Sequence, residues 1–224
     1  MTAAKKKLTR DSPVEERAPE IIHILEQTYP DAKVALKFTN PLEMLIATIL
    51  SAQCTDERVN MVTQGPKGLF AKYRKPEDYL KVPESELAAD IRPTGFFNQK
   101  TKSIRGACTR IAEDFGGKVP NTMADLITLP GVARKTANIV LGNSYEVVEG
   151  IAVDTHVRRV SQRLGFTANK DPDKVEQDLM RVVPREKWFA FTYVLIEHGR
   201  AICKAPTPRC EICPVSSLCP ASRV

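Results

Sequence analysis

Several things are scarce in this chain. Of its 224 residues only 6% are aromatic, with a single Trp, and there are three His and six Cys. So few cysteines exclude the disulfide-held scaffolds of small secreted proteins. No apolar run approaches the ~20 residues of a membrane-spanning helix; the longest lies near Met44–Leu50. The basic N-terminus leads into no apolar segment, so no secretory signal is read and a cytosolic protein is expected. Alternation of apolar and polar residues is confined to Val34, Leu36 and Phe38, too short for a sheet. There are no internal repeats. With 42% hydrophobic and 27% charged residues the composition is that of an ordinary globular protein, which excludes general disorder.

What remains is helical periodicity. Ile21, Ile22, Ile24 and Leu25 form one apolar face, and Leu42, Leu45, Ile46, Ile49 and Leu50 another at helical spacing. Further helices are predicted at 99–115, stopped by Gly116–Gly117, and at 123–129, capped by Asn121 or Thr122. Others follow at 132–141, ended by Gly142–Asn143, at 155–164 between Asp154 and Gly165, at 173–183 between Pro172 and Pro184, and at 187–199 as a core helix. The fold class is all-α. The length suits one large or two small domains. Residues 1–17 are charged and unpatterned and are read as a flexible basic tail.

Lys and Arg number 33 against 27 Asp and Glu, a net charge of +6. That balance suits a polyanion such as nucleic acid, although many basic proteins bind none. Cys203, Cys210, Cys213 and Cys219 crowd into a proline-rich C-terminal segment with spacing C-x6-C-x2-C-x5-C, while Cys54 and Cys108 stand apart. In a cytosolic chain such clustering points to a metal before disulfides. Only one C-x-x-C pair is present, and Pro220 follows the last cysteine. Uneven gaps of this kind favour a 4Fe–4S cluster over zinc, with free thiols the third reading. Lys204 and Arg209 lie between the first two cysteines, either projecting charge from a rigid base or simply solvated.

The string Leu129-Pro130-Gly131-Val132-Ala133-Arg134-Lys135-Thr136-Ala137 has the form of a helix-hairpin-helix turn. Gly131 lets a ligand approach the backbone closely, and the helix that follows offers N–H groups to a phosphate. In the first turn of that helix the dipole and neighbouring Arg134 disfavour the charged form of Lys135, which suits an amine nucleophile. The bland reading is an exposed lysine on a basic helix. Asp154 is the natural N-cap of the helix after it; the same carboxylate could stabilise a developing sugar cation or handle a proton. His23, His156 and His198 show no metal spacing and are read as structural.

Together these strings resemble the endonuclease III family of base-excision repair DNA glycosylases. The likeness spans about residues 21–219, and Ser51-Ala52-Gln53-Cys54-Thr55-Asp56 matches a further family loop. It implies two helical domains with a DNA-binding cleft between them: a six-helix barrel over 34–147, and an iron–sulfur domain from 18–33 and 148–224. It implies that Lys135 attacks C1′ of a damaged nucleotide to form a Schiff base, followed by β-elimination, with Asp154 assisting. Gln53 would fill the gap left by the extruded base, Leu129, Gly131, Val132 and Arg134 would hold phosphate, and Lys204 and Arg209 would add charge. The wedge would come from Thr94-Gly95-Phe96-Phe97-Asn98, with Phe96 preferred over Phe97, although either could be core. The family often carries an aliphatic residue there. The four cysteines would bind one 4Fe–4S cluster, and the partner would be damaged double-stranded DNA, with oxidised pyrimidines as substrate and a monomer as the working unit. The alternatives are a monofunctional glycosylase of other specificity and a non-catalytic DNA-binding protein.

Overall fold

A computed structural model describes residues 8–224, in two compact units: one runs up to Lys33 and resumes over Gly150–Val224, the other is Val34–Glu149. No strand occurs among the described residues.

The Val34–Glu149 unit carries α2 (Pro41–Leu50), α3 (Asp56–Thr63), α4 (Leu69–Lys72), α5 (Pro76–Lys81), α6 (Glu84–Ile91), α7 (Phe97–Asp114), α8 (Met123–Leu126) and α9 (Arg134–Tyr145). Their starts follow local chemistry. The Asn40 side chain accepts from the Glu43 N–H with Pro41 at the first helical position, and Thr55 and Thr122 cap α3 and α8 in the same way. α2 is the apolar centre, packed on α7 and α9, and α5 and α6 also pack on α7. Met44, Leu45, Ile46, Leu50, Ile104, Ile111 and Leu141 are fully buried in one continuous core. Each such side chain stabilises the fold by roughly 1.5–3 kcal/mol.

The other unit joins α1 (Val14–Thr28) to α10 (Thr155–Leu164), α11 (Pro172–Val182) and α12 (Trp188–Ala201), with α12 packed on α1 and α10. Asp171 caps α11 with Pro172 at its first position, and Gly165 ends α10. Ile21, Leu25, Val157, Val160, Leu179, Phe191 and Leu195 make its core.

Several boundaries depart from the sequence reading. The expected tail over 1–17 is cut short, because Val14–Arg17 already belong to α1 and Arg17 is buried; residues 1–7 lie outside the described residues. α9 begins at Arg134 rather than 132 and passes through Gly142–Asn143 to Tyr145. Gly142 is buried there, so packing outweighs a glycine penalty of about 1 kcal/mol. The helix at 123 stops at Leu126, where the chain tightens into the hairpin.

Candidate functional site

The hairpin is built by close packing. Leu129 and Val132 are buried in the core, and the Val132 N–H donates to the Leu129 carbonyl at 3.1 Å. Their side chains therefore face inward, and the N–H groups of both already donate within the turn, Leu129 to the Leu126 carbonyl at 3.1 Å and Val132 to that of Leu129, so neither residue is placed to donate to a phosphate. Gly131 has φ +79°, and a Cβ on it would lie 2.5 Å from Ser103 Cβ. On the facing helix, a Cβ on Gly106 would meet Pro130 Cγ at 2.9 Å. The two glycines thus let α7 and the turn lie flush. No side chain caps α9 at Ala133. The N–H groups of a first helical turn lack intrahelical partners and favour an anion. Lys135 is the second residue of α9 and exposed, with Arg134 half-buried beside it.

Among the described residues three exposed non-glycine residues of this unit have left-handed backbone: Glu146, which ends α9 as its C-cap, and Gln53 and Phe96, which lie in two loops. Gln53, just after α2, has φ +52° and is exposed. Phe96 has φ +48° and is 64% exposed, whereas Phe97 packs against the core with the Arg92 guanidinium 5.9 Å from its ring centre. Left-handed backbone at a non-glycine residue costs about 1–3 kcal/mol and concentrates at functional sites.

In the other unit a buried run, Ile151–Val153, leads to Asp154, whose Oδ1 accepts from the Val157 N–H at 2.7 Å as the N-cap of α10. Burial lowers the pKa of His156 below the usual imidazole value, although the Asp154 carboxylate works against this and the Arg159 guanidinium with it.

The four C-terminal cysteines line a single cavity together with Arg163, His198, Pro208 and Ser216. Their segment has little regular structure, only short 3₁₀ turns at Cys210–Ile212 and Ser216–Leu218. It is held by guanidinium groups from elsewhere. Arg163 donates to the Lys204 carbonyl at 2.8 Å and the Pro206 carbonyl at 3.2 Å, and approaches Cys203 Sγ at 3.3 Å. Arg159 donates to the Cys203 carbonyl at 3.1 Å, and buried Arg17 to the Leu218 carbonyl at 2.8 Å and the Leu164 carbonyl at 3.0 Å. Arg209 is exposed and donates to the Ala201 carbonyl at 2.9 Å. Lys204 is exposed. His198 is buried, with Nδ1 3.1 Å from Tyr29 Oη and Nε2 3.7 Å from Cys213 Sγ, and burial pushes its pKa down to about 4. Burial, with the neighbouring thiols, pushes Cys213 up to about 11. The sequence reading missed Arg17, Arg159 and Arg163. Arg17 alone carries a signal, as a cation on the helix face that holds Ala18, Ile21, Ile22 and Leu25, whereas Arg159 and Arg163 share a polar face with His156 and Gln162.

The residues singled out in the sequence divide between the units. Gln53, Phe96, the hairpin and Lys135 belong to Val34–Glu149, and Asp154, Lys204, Arg209 and the cysteines to the other.

A helical chain with this hairpin, this capped aspartate and this thiol cavity defines a class. Residues 46–185 match the model of the HhH-GPD superfamily of base excision DNA repair proteins, and the chain belongs to that superfamily. It is an enzyme, a DNA glycosylase, and AP lyase activity follows from the family. Among its relatives is the endonuclease III of Synechocystis sp., 48% identical over 208 residues, which cover 93% of this chain and 94% of the relative. That of Bacillus subtilis is 50% identical over 192 residues, 85% of this chain and 86% of the relative. A solved non-covalent endonuclease III–DNA complex is similar with a TM-score of 0.89 at 42% identity, covering 95% of this chain and 98% of that one. Among the described residues no helix is long and apolar enough to cross a membrane.

Proposed function

We propose that this chain removes oxidised pyrimidines from duplex DNA and then cleaves the strand, with Lys135 as the nucleophile. The observation that carries this reading is the placement of an exposed lysine at the uncapped start of α9, directly after the Gly131 turn. A DNA phosphate held by the turn's backbone brings the adjoining deoxyribose to the amine. The Lys135 amine forms a bond to C1′ as the glycosidic bond breaks, and the base departs with the electron pair and takes up a proton. The C1′–O4′ bond then breaks, O4′ keeping the electron pair and taking up a proton, to give an iminium; loss of a C2′ proton expels the 3′ phosphate, and water hydrolyses the imine to free Lys135. Asp154 stabilises positive charge developing on the sugar and handles a proton in the reaction. Its N-cap bond to Val157 fixes the carboxylate for both tasks.

Chemistry at C1′ requires the nucleotide to leave the stack. Phe96 is the wedge and Gln53 fills the space vacated; their exposure in left-handed turns supports these roles. The working unit is a monomer acting in the cytoplasm, where the thiols stay reduced.

The four cysteines bind one 4Fe–4S cluster. All four thiols line one cavity, and their segment carries a single C-x-x-C pair with uneven gaps, which supports a cluster over zinc. When bound, the cluster would cross-link the C-terminal segment. Around it Arg163 and Arg159 hold the Cys203 turn, and Arg17 holds the Ser216–Leu218 turn.

Borohydride trapping tests the reading. A duplex containing thymine glycol is expected to give a covalent protein–DNA band that Lys135→Ala abolishes. Base release without a band means a monofunctional enzyme that uses water; neither product means another lesion or binding alone.

A further inference from the structure

Lys100 interrupts the apolar face of α7. One turn further on, Ile104, Ala107, Cys108 and Ile111 are fully buried, and Lys100 itself is only 4% exposed. A cation taken out of water in this way persists only with strong partners. Its two partners are backbone carbonyls: Nζ donates to the Leu50 oxygen at 2.8 Å and to the Thr94 oxygen at 2.8 Å. Burial holds its pKa below the usual lysine value, with nearby Cys54 acting the other way.

These carbonyls share one property. Leu50 is the last residue of α2, and Gln53 follows three residues later. Thr94 closes a short 3₁₀ turn, and Phe96 follows two residues later. The two exposed residues with left-handed backbone in these loops thus each lie within three residues of a carbonyl held by one ammonium group. We infer that Lys100 is a positioning residue for base extrusion, fixing the Gln53 and Phe96 loops at one separation so that plug and wedge enter the duplex together. The inference rests on the roles proposed above for Gln53 and Phe96.

A lysine that served only to fill the core would affect every activity alike. The clamp matters only where there is a stack to invade and a partner strand to support. The test therefore uses two substrates, a duplex containing thymine glycol and a single-stranded oligonucleotide with an abasic site, both read by borohydride trapping. Lys100→Met keeps the stem and removes the donors. The expected result is a fall of about 10–100-fold on the duplex, with the single-stranded rate within about twofold of wild type. Lys100→Gln, which retains two N–H donors, restores part of the loss. In a Gln53→Ala/Phe96→Ala background Lys100→Met adds less than about twofold, because the groups it positions are gone. Amide exchange of Lys100→Met rises in segments 51–54 and 94–98 together, with melting temperature and visible absorbance checked in parallel.

Each outcome decides something. If Gln53→Ala and Phe96→Ala leave the duplex rate unchanged, the plug-and-wedge reading fails and the clamp falls with it. If they lower the rate but Lys100→Met does not, the clamp alone is overturned. It is also overturned if Lys100→Met slows both substrates equally or keeps its full effect in the double background. Should Lys100→Met not fold, Lys100→Gln is judged against the same three criteria.

Discussion

The hairpin at 128–133 and the cysteine segment at 203–219 are both irregular backbone, yet opposite means fix them. The hairpin is held by contact: Leu129 and Val132 are buried, and Gly131 and Gly106 let backbone and helix touch. The cysteine segment is held by directed donors, guanidinium groups of Arg17, Arg159 and Arg163 reaching its carbonyls, and by whatever its thiols bind. A loop fixed by packing is rigid as soon as the core forms. A loop fixed by donors depends on each of them staying in place and gains further order from any group its thiols bind.

Substitutions can break that contrast. The largest effect is expected for Lys135→Ala, with trapping and strand cleavage down at least about a thousandfold while stability stays within about 0.5 kcal/mol, since the residue is exposed. Cys213→Ser should do the reverse in thermal melts, losing visible absorbance and several kcal/mol, roughly what a structural metal supplies. Equal stability losses from the two would erase the distinction. Next is Gly131→Ala, which meets both the φ of +79° and the Ser103 side chain at 2.5 Å. Denaturant unfolding should show a loss of about 2–4 kcal/mol.

Arg163→Met removes donors from the Lys204 and Pro206 carbonyls. A cost of about 1–3 kcal/mol is expected, with faster amide exchange over 203–219 and none over 128–133. Exchange rising in both segments would show that the two are not independently fixed. The smallest effect sharpens a single residue. Asp154→Asn keeps an N-cap acceptor and should leave the melting temperature nearly unchanged, whereas Asp154→Ala should cost about 1 kcal/mol. Both should lower turnover, and normal turnover in Asp154→Asn would remove the carboxylate from the chemistry.

What could be read in the sequence was whatever short-range chemistry decides. Asp154, Thr122 and Pro172 mark helix starts, Gly165 a stop, and the Leu129–Ala137 string the hairpin. The extent of α9 was not legible, because Gly142 reads as a stop unless one knows what packs over it. The cations that hold loops were hidden for a related reason. Arg17, Lys100 and Arg163 count as surface charge in any composition, and each has a partner far along the chain, as with Arg17 and Leu218 or Lys100 and Leu50.

The left-handed turns at Gln53 and Phe96 also bear on how the protein can change over time. Glycine at either place would relieve backbone strain and stabilise the fold by up to about 1 kcal/mol. It would also delete the side chain the turn displays. On the roles proposed for Gln53 and Phe96, selection for stability and selection for repair pull in opposite directions at these two positions, and variants chosen only for thermal endurance are expected to drift toward glycine there as they lose activity.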